Sequence, residues 1–131
     1  MKVAVDTNVL VRVAVRDDEG QAREAAKVLE EAAMIVVSLP CLCEFVWVLR
    51  KVYHFSSHDI STAIRALIAI KKVVVNRQAV NAGLAIFADG GDFADGVMAY
   101  SGASSGADTF VSFDKKAVSL LLKHGYSAHQ I

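Results

Sequence analysis

An α/β fold with a mainly parallel, covered sheet is predicted by three features of this 131-residue chain. Short β-branched apolar runs alternate with longer segments of helical periodicity, a pattern that builds parallel strands joined by helical crossovers. A single proline leaves those segments uninterrupted, and no linker is visible, so one domain over residues 1–131 is expected. Carboxylates recur where an apolar run gives way to a helix.

Lys2 to Val5 reads as a short buried strand, and Asp6-Thr7-Asn8 follows it with side chains suited to capping a helix that runs through Arg16. Ala22, Ala25, Ala26, Leu29, Ala32 and Ala33 repeat at helical spacing, giving an amphipathic helix of small residues. Met34 to Val37 is the second expected strand. After Ser38-Leu39-Pro40, the segment Cys41 to Tyr53 puts Leu42, Phe45, Val46, Leu49 and Val52 on one helical face, while Trp47 and Val48 widen the apolar arc. That width predicts contact with more than the protein's own core.

Ser57-His58-Asp59 caps a helix carrying Ile60, Ile64, Leu67 and Ile68, and Val73 to Val75 is the third strand. Val80, Leu84 and Phe87 mark the next helix, which Asp89-Gly90-Gly91 breaks. Asp92 opens another helix through Val97, Met98 and Ala99, with a loop expected over residues 102–106. Thr109 to Phe113 is the fourth strand. Asp114 starts a helix with Ala117, Val118, Leu121 and Leu122 inward, and residues 126–131 supply a short edge strand.

Fourteen Lys and Arg balance fourteen Asp and Glu, so bulk positive charge does not hold this chain to nucleic acid, and any such role needs a local site. No signal peptide or membrane span is expected, and a cytoplasmic location follows by default. Cys41 and Cys43 lack a second pair at zinc spacing and read as reduced thiols at a helix start. The sequence contains neither a phosphate-binding G-x-x-x-x-G-K-[ST] loop nor a G-x-S-x-G elbow, which removes ATPase and serine-hydrolase readings. His54, His58, His124 and His129 lie away from the acidic junctions, so a metal-free two-histidine ribonuclease has little support.

The acids carry the functional reading. Asp6, Asp92 and Asp114 each suit a helix cap, and Asp92 and Asp95 stand three apart at the start of one helix, where the dipole favours negative charge. Glu44 lies within Pro40-Cys41-Leu42-Cys43-Glu44-Phe45-Val46-Trp47, so desolvation is expected to demand a cation or donor beside it. Carboxylates gathered in one cleft repel unless a divalent cation neutralises them. Oxygen ligands suit Mg²⁺ or Mn²⁺, which would lower the pKa of a water and orient it towards a phosphodiester.

Val5-Asp6-Thr7-Asn8-Val9-Leu10, Ser38 through Glu44, Asp92-Phe93-Ala94-Asp95 and Phe110-Val111-Ser112-Phe113-Asp114 together resemble a PIN domain, and are most similar to the VapC-like toxins of bacterial and archaeal toxin–antitoxin pairs. The resemblance spans nearly the whole chain. It implies a three-layer α/β/α sandwich and an Mg²⁺- or Mn²⁺-dependent endoribonuclease acting on structured RNA such as tRNA or rRNA. It also implies a homodimer inhibited by a cognate antitoxin, whose helix packs in an apolar groove; the arc around Trp47 suits either that helix or the dimer seam.

Carried over position by position, Asp6, Glu44, Asp95 and Asp114 match the catalytic and metal-binding quartet, and Asp92 an accessory acid. Asn8 matches the polar support of the first acid, and Ser112 stands where threonine is commoner. Gly96 stands where a bulkier helix former is usual, which is expected to loosen the support of Asp95. Arg12 and Lys115 are candidate substrate-binding residues, with Arg16, Arg50, Lys51 and Lys116 as further cations for RNA backbone contacts. A non-catalytic PIN-like module that binds RNA or protein is the alternative.

Overall fold

A computed structural model describes residues 1–131. The chain is α/β, with every strand pair parallel, and it divides into two compact units, Met1–Asn76 and Arg77–Ile131.

The first unit runs β1 (Lys2–Ala4), α1 (Thr7–Val15), α2 (Glu19–Glu31), β2 (Met34–Val36), α3 (Leu39–Lys51), α4 (Ser57–Ala69) and β3 (Val73–Val74). Its strands pair in the order β1-β2-β3, with Val3, Ile35 and Val73 in one row and Ala4, Val36 and Val74 in the next. Successive side chains on a strand point to opposite faces. Ile35 and Val73 accordingly lie in the core at 1% exposure, while Val36 and Val74 are exposed. Lys2 and Ala4 are exposed as well, so β1 is not the buried strand its composition suggested. Leu42, Phe45, Val46 and Leu49 of α3 and Ile60 and Ile64 of α4 fill the core, as their spacing predicts.

The second unit runs α5 (Arg77–Ala88), α6 (Phe93–Ser104), β4 (Phe110–Ser112), α7 (Lys115–Lys123) and β5 (Ala128–Gln130). β4 and β5 form their own two-stranded sheet, so the strands make two sheets rather than one continuous one. Helix α6 continues through Gly102 and Ala103 to Ser104, two residues past the expected start of a loop. At its C-terminus the Ala103 and Gly102 carbonyls accept the N–H groups of Gly106 at 3.1 Å and Ala107 at 3.0 Å.

Gly96 does the opposite of what its sequence position suggested. A Cβ there would lie 2.5 Å from the Ala82 carbonyl oxygen and 2.8 Å from the Gly83 Cα, so the missing side chain lets α6 seat directly on the α5 backbone. Gly83 answers it, since a Cβ would come within 2.8 Å of Phe93 and Val97. The two glycines tighten the helix that carries Asp95.

Two apolar assignments also change. Val52 and Leu122 were placed inward and are 54% and 53% exposed, because each lies at the fraying end of its helix, where the buried stripe has turned away. Trp47 is 58% exposed, on the α3 face opposite the core.

Candidate functional site

The β-sheet register of the first unit decides where its acids stand. Ala4 and Val36 are partners, and two residues beyond each comes a helix cap: Asp6 for α1 and Ser38 for α3. The Val5 N–H bonds the Val36 carbonyl at 3.3 Å, which carries the pairing to the end of the strands. Both caps therefore sit at the same edge of the sheet, side by side. Asp6 Oδ1 accepts the Thr7 N–H at 2.8 Å, and Ser38 Oγ accepts the Cys41 N–H at 3.2 Å. Asp6 leaves its second carboxylate oxygen outside that cap bond.

Glu44 lies one helical turn after Cys41, and it is exposed. The expected desolvation of Glu44 is thus absent: the apolar neighbours that suggested it, Phe45 and Val46, face the core, whereas positions 44 and 47 face outward. Cys41, three residues before Glu44, is buried at 7% exposure. Burial pushes its thiol above the ordinary value, a hydrogen bond with Thr7 opposes that rise, and the charges of Asp6 and Glu44 add to it. Cys41 thereby reports that both carboxylates are within electrostatic reach of one point. Cys43 forms no disulfide and is half-buried.

The second unit holds its own set. Asp92 caps α6 by accepting the Ala94 N–H at 2.9 Å, and Asp95 lies in the first turn of that helix. Asp114, two residues past Ser112 of β4, caps α7 by accepting the Ala117 N–H at 3.1 Å. The Ser112 hydroxyl accepts the Asp114 N–H at 3.0 Å, so this serine orders the turn that presents the acid. Burial, then the negative charges of Asp92 and Asp114, hold the Asp95 carboxyl above its usual range. Both causes penalise the charged form of the carboxyl.

Each sequence-derived acid is therefore at a helix N-terminus or in its first turns, and the charges of Asp92 and Asp114 act on Asp95. Within neither unit do three or more His, Cys, Asp or Glu side chains gather closely enough to hold a metal ion by themselves. The donors on offer are all carboxylate oxygens, the set that suits a hard divalent cation such as Mg²⁺ or Mn²⁺. Asn8 is exposed in the first turn of α1, beside Asp6 in sequence.

The cations divide. Arg12 is spent on structure: its Nε donates to Gln21 Oε1 at 2.7 Å and its Nη1 to Asp17 Oδ1 at 3.0 Å, while Tyr53 donates to the other Asp17 oxygen at 3.0 Å. This network ties down the turn between α1 and α2, where Arg16 adopts φ 57°. Arg50 donates to Ser57 Oγ at 2.6 Å. Lys115 and Lys116 are exposed in the first turn of α7, where the helix dipole disfavours cations. A cavity of about 50 Å³ lies by Gly102, Ala103, Asp108 and Tyr126, at the opposite end of α6 from Asp95, and is too small for a nucleotide.

Sequence reading missed Thr7 and Cys41. Thr7 is the one buried polar side chain of the molecule, and its place directly after the acid that follows a strand was the available signal.

A family model described as PIN domain matches residues 3–120, a stretch that contains Asp6, Glu44, Asp92, Asp95 and Asp114. The chain belongs to the PIN domain family. No curated protein matches it in sequence. PIN domains are generally nucleases and usually use divalent metal ions, which agrees with the all-oxygen donors found here. No helix of this PIN domain is long and apolar enough to cross a membrane.

Proposed function

We propose that this PIN domain is a metal-dependent endoribonuclease of the VapC-like toxin type, with Asp6, Glu44, Asp95 and Asp114 as its metal-binding carboxylates and Asp92 as an accessory acid. What supports it best is the family match that runs through all five acids, three of which, Asp6, Asp92 and Asp114, are fixed at helix N-termini. When bound, Mg²⁺ or Mn²⁺ supplies Lewis acidity towards water and a phosphodiester oxygen. The chain's part is to hold carboxylates in fixed orientation: cap bonds lock one oxygen of Asp6 and one of Asp114, leaving the other oxygen of each for a ligand. Lys115, beside Asp114 and exposed, is the side chain best placed to meet an RNA phosphate, with Lys116 next to it. Arg12 is set aside for that role because its donors are engaged within the fold.

Structured RNA, tRNA or rRNA, is the proposed substrate. A cognate antitoxin and a second copy of the chain are the proposed protein partners, in a cytoplasmic setting, and the exposed Trp47 offers apolar surface to one of them. Protein freed of antitoxin is expected to cut RNA in Mg²⁺, and Asp6→Asn to lower the rate at least about 100-fold. Equal cleavage by wild type and Asp6→Asn would remove the proposal.

One observation favours the non-catalytic reading: Asp6, Asp92 and Asp114 each already serve as a helix cap. A module of that kind would bind RNA or protein and keep its acids for folding. Calorimetric titration with Mn²⁺ separates the two, since only the nuclease requires acid-dependent metal binding.

A further inference from the structure

The β4–β5 sheet ends on an aromatic ring left in water beside one of the proposed metal-binding acids. Phe113 is 79% exposed, and among the large apolar side chains only Met1 is more so. The other five phenylalanines are buried or half-buried, so the cost of an exposed ring is borne at this position alone. Val111, two residues earlier and exposed, lies on the same side by the alternation of a strand, and Ile131, just past β5, is exposed as well. The Ile131 N–H donates to the Ser112 carbonyl at 3.0 Å, which keeps the two segments paired up to the point where Phe113 emerges. The backbone that carries the ring is held on both sides. Across Phe113 the Asp114 N–H donates to Ser112 Oγ at 3.0 Å, and Asp114 Oδ1 accepts the Ala117 N–H at 3.1 Å, fastening the turn to the start of α7.

The neighbours of the ring decide what fits it. Asp114, Lys115 and Lys116 follow directly, and all three are exposed. Consecutive Cα atoms stand about 3.8 Å apart, so a π-face, a carboxylate and two ammonium groups are offered over one short stretch. A protein seated on the ring would strip water from these charges, and the cores of protein interfaces are depleted of charge for that reason. A nucleotide presents the complementary set, a base for the ring and a phosphate for the ammonium groups.

We propose that Phe113 is a stacking platform for one unpaired base of an RNA substrate, with Lys115 meeting the phosphate of the same nucleotide. The proposal deepens the nuclease reading and rests on it for one point, that the stacked base adjoins the phosphodiester that is cut. In a duplex the faces of a base are covered by its stacked neighbours, so the substrate narrows to RNA with a single-stranded loop, bulge or end.

The test uses the full chain in EDTA, where binding is read apart from cleavage, with single-stranded oligoadenylate and inorganic polyphosphate as probes. Phe113→Ala and Phe113→Leu are each expected to bind oligoadenylate about tenfold more weakly, and Phe113→Tyr to stay within about threefold of wild type, because stacking needs an aromatic ring and not apolar bulk. Polyphosphate, which has charge and no base, should bind all four proteins alike. Phe113→Ala should keep the wild-type salt slope, whereas Lys115→Ala should lower its magnitude by about one. In a Trp47→Phe background, which removes the single native indole, Phe113→Trp should lose fluorescence when oligoadenylate is added and keep it when polyphosphate is added.

No binding of oligoadenylate by wild type, wild-type affinity in Phe113→Ala or Phe113→Leu, or an unquenched indole would overturn the platform. A lower mass for Phe113→Ala by light scattering, with oligoadenylate affinity unchanged, would assign the ring to an interface between copies and overturn it equally. Cleavage is scored separately: wild type that fails to cut RNA in Mg²⁺ removes the nuclease reading, while ring-dependent binding of oligoadenylate still decides the platform.

Discussion

Asp95 is the residue whose surroundings speak most directly about chemistry. Its carboxyl is held above the usual range first by burial and then by Asp92 and Asp114, so the folded protein binds a proton there more tightly than the unfolded chain does. Stability then falls as pH rises from the ordinary carboxylate value of 3.8 through the raised one, and the penalty stays in full above it. Asp95→Asn removes the charge, and in metal-free buffer at neutral pH it should melt a few degrees higher than wild type. Thermal scans should show that gap closing as pH falls below 3.8 and narrowing when Mn²⁺ is added at neutral pH, since a cation relieves the same repulsion. A gap independent of pH would mean that Asp95 is not crowded. Asp89, paired with Lys123 at 2.9 Å and His124 at 3.1 Å, is shifted the other way by its partners. The contrast shows surroundings, burial in one case and cationic partners in the other, deciding the direction.

Helices α5 and α6 depend on Gly83 and Gly96 for their close approach, and Gly96 is the sterner case because the atoms in the way are backbone. A methyl group 2.5 Å from the Ala82 carbonyl oxygen forces the helices apart instead of turning a side chain aside. Gly96→Ala would gain helix propensity and still lose about 1–3 kcal/mol through overpacking, measured by chemical denaturation. Asp95 would shift with its helix, so metal affinity should fall in the same variant. Several helix starts were readable from sequence, as with Asp6, Asp92 and Asp114, because a cap is a local event between a side chain and the next few N–H groups. The role of Gly96 was misread because glycine's value there lies in what another helix brings to it.

At the scale of the molecule, balanced charge limits how RNA can be held. With fourteen cations against fourteen anions, and Arg12, Arg50, Lys72 and Lys123 engaged within the fold, Lys115 and Lys116 are the cations that stand beside an acid of the proposed site. The logarithm of RNA affinity should therefore fall against the logarithm of salt concentration with a slope of magnitude below about 4. Filter binding with a cleavage-deficient variant over a salt series measures it, and a steeper slope would mean that a broader basic surface exists than Lys115 and Lys116 provide. The α/β class, the parallel strands, the helix order and the acids at helix starts were determined by the sequence itself, since periodicity, capping and strand propensity act over a few neighbouring residues. Tertiary structure alone decided the rest: that Glu44 faces water, that Gly96 is a contact surface, and that Arg12 is committed to Asp17 and Gln21. Each of these depends on groups far apart in the chain, which strand register and helix packing bring into range and local sequence does not encode.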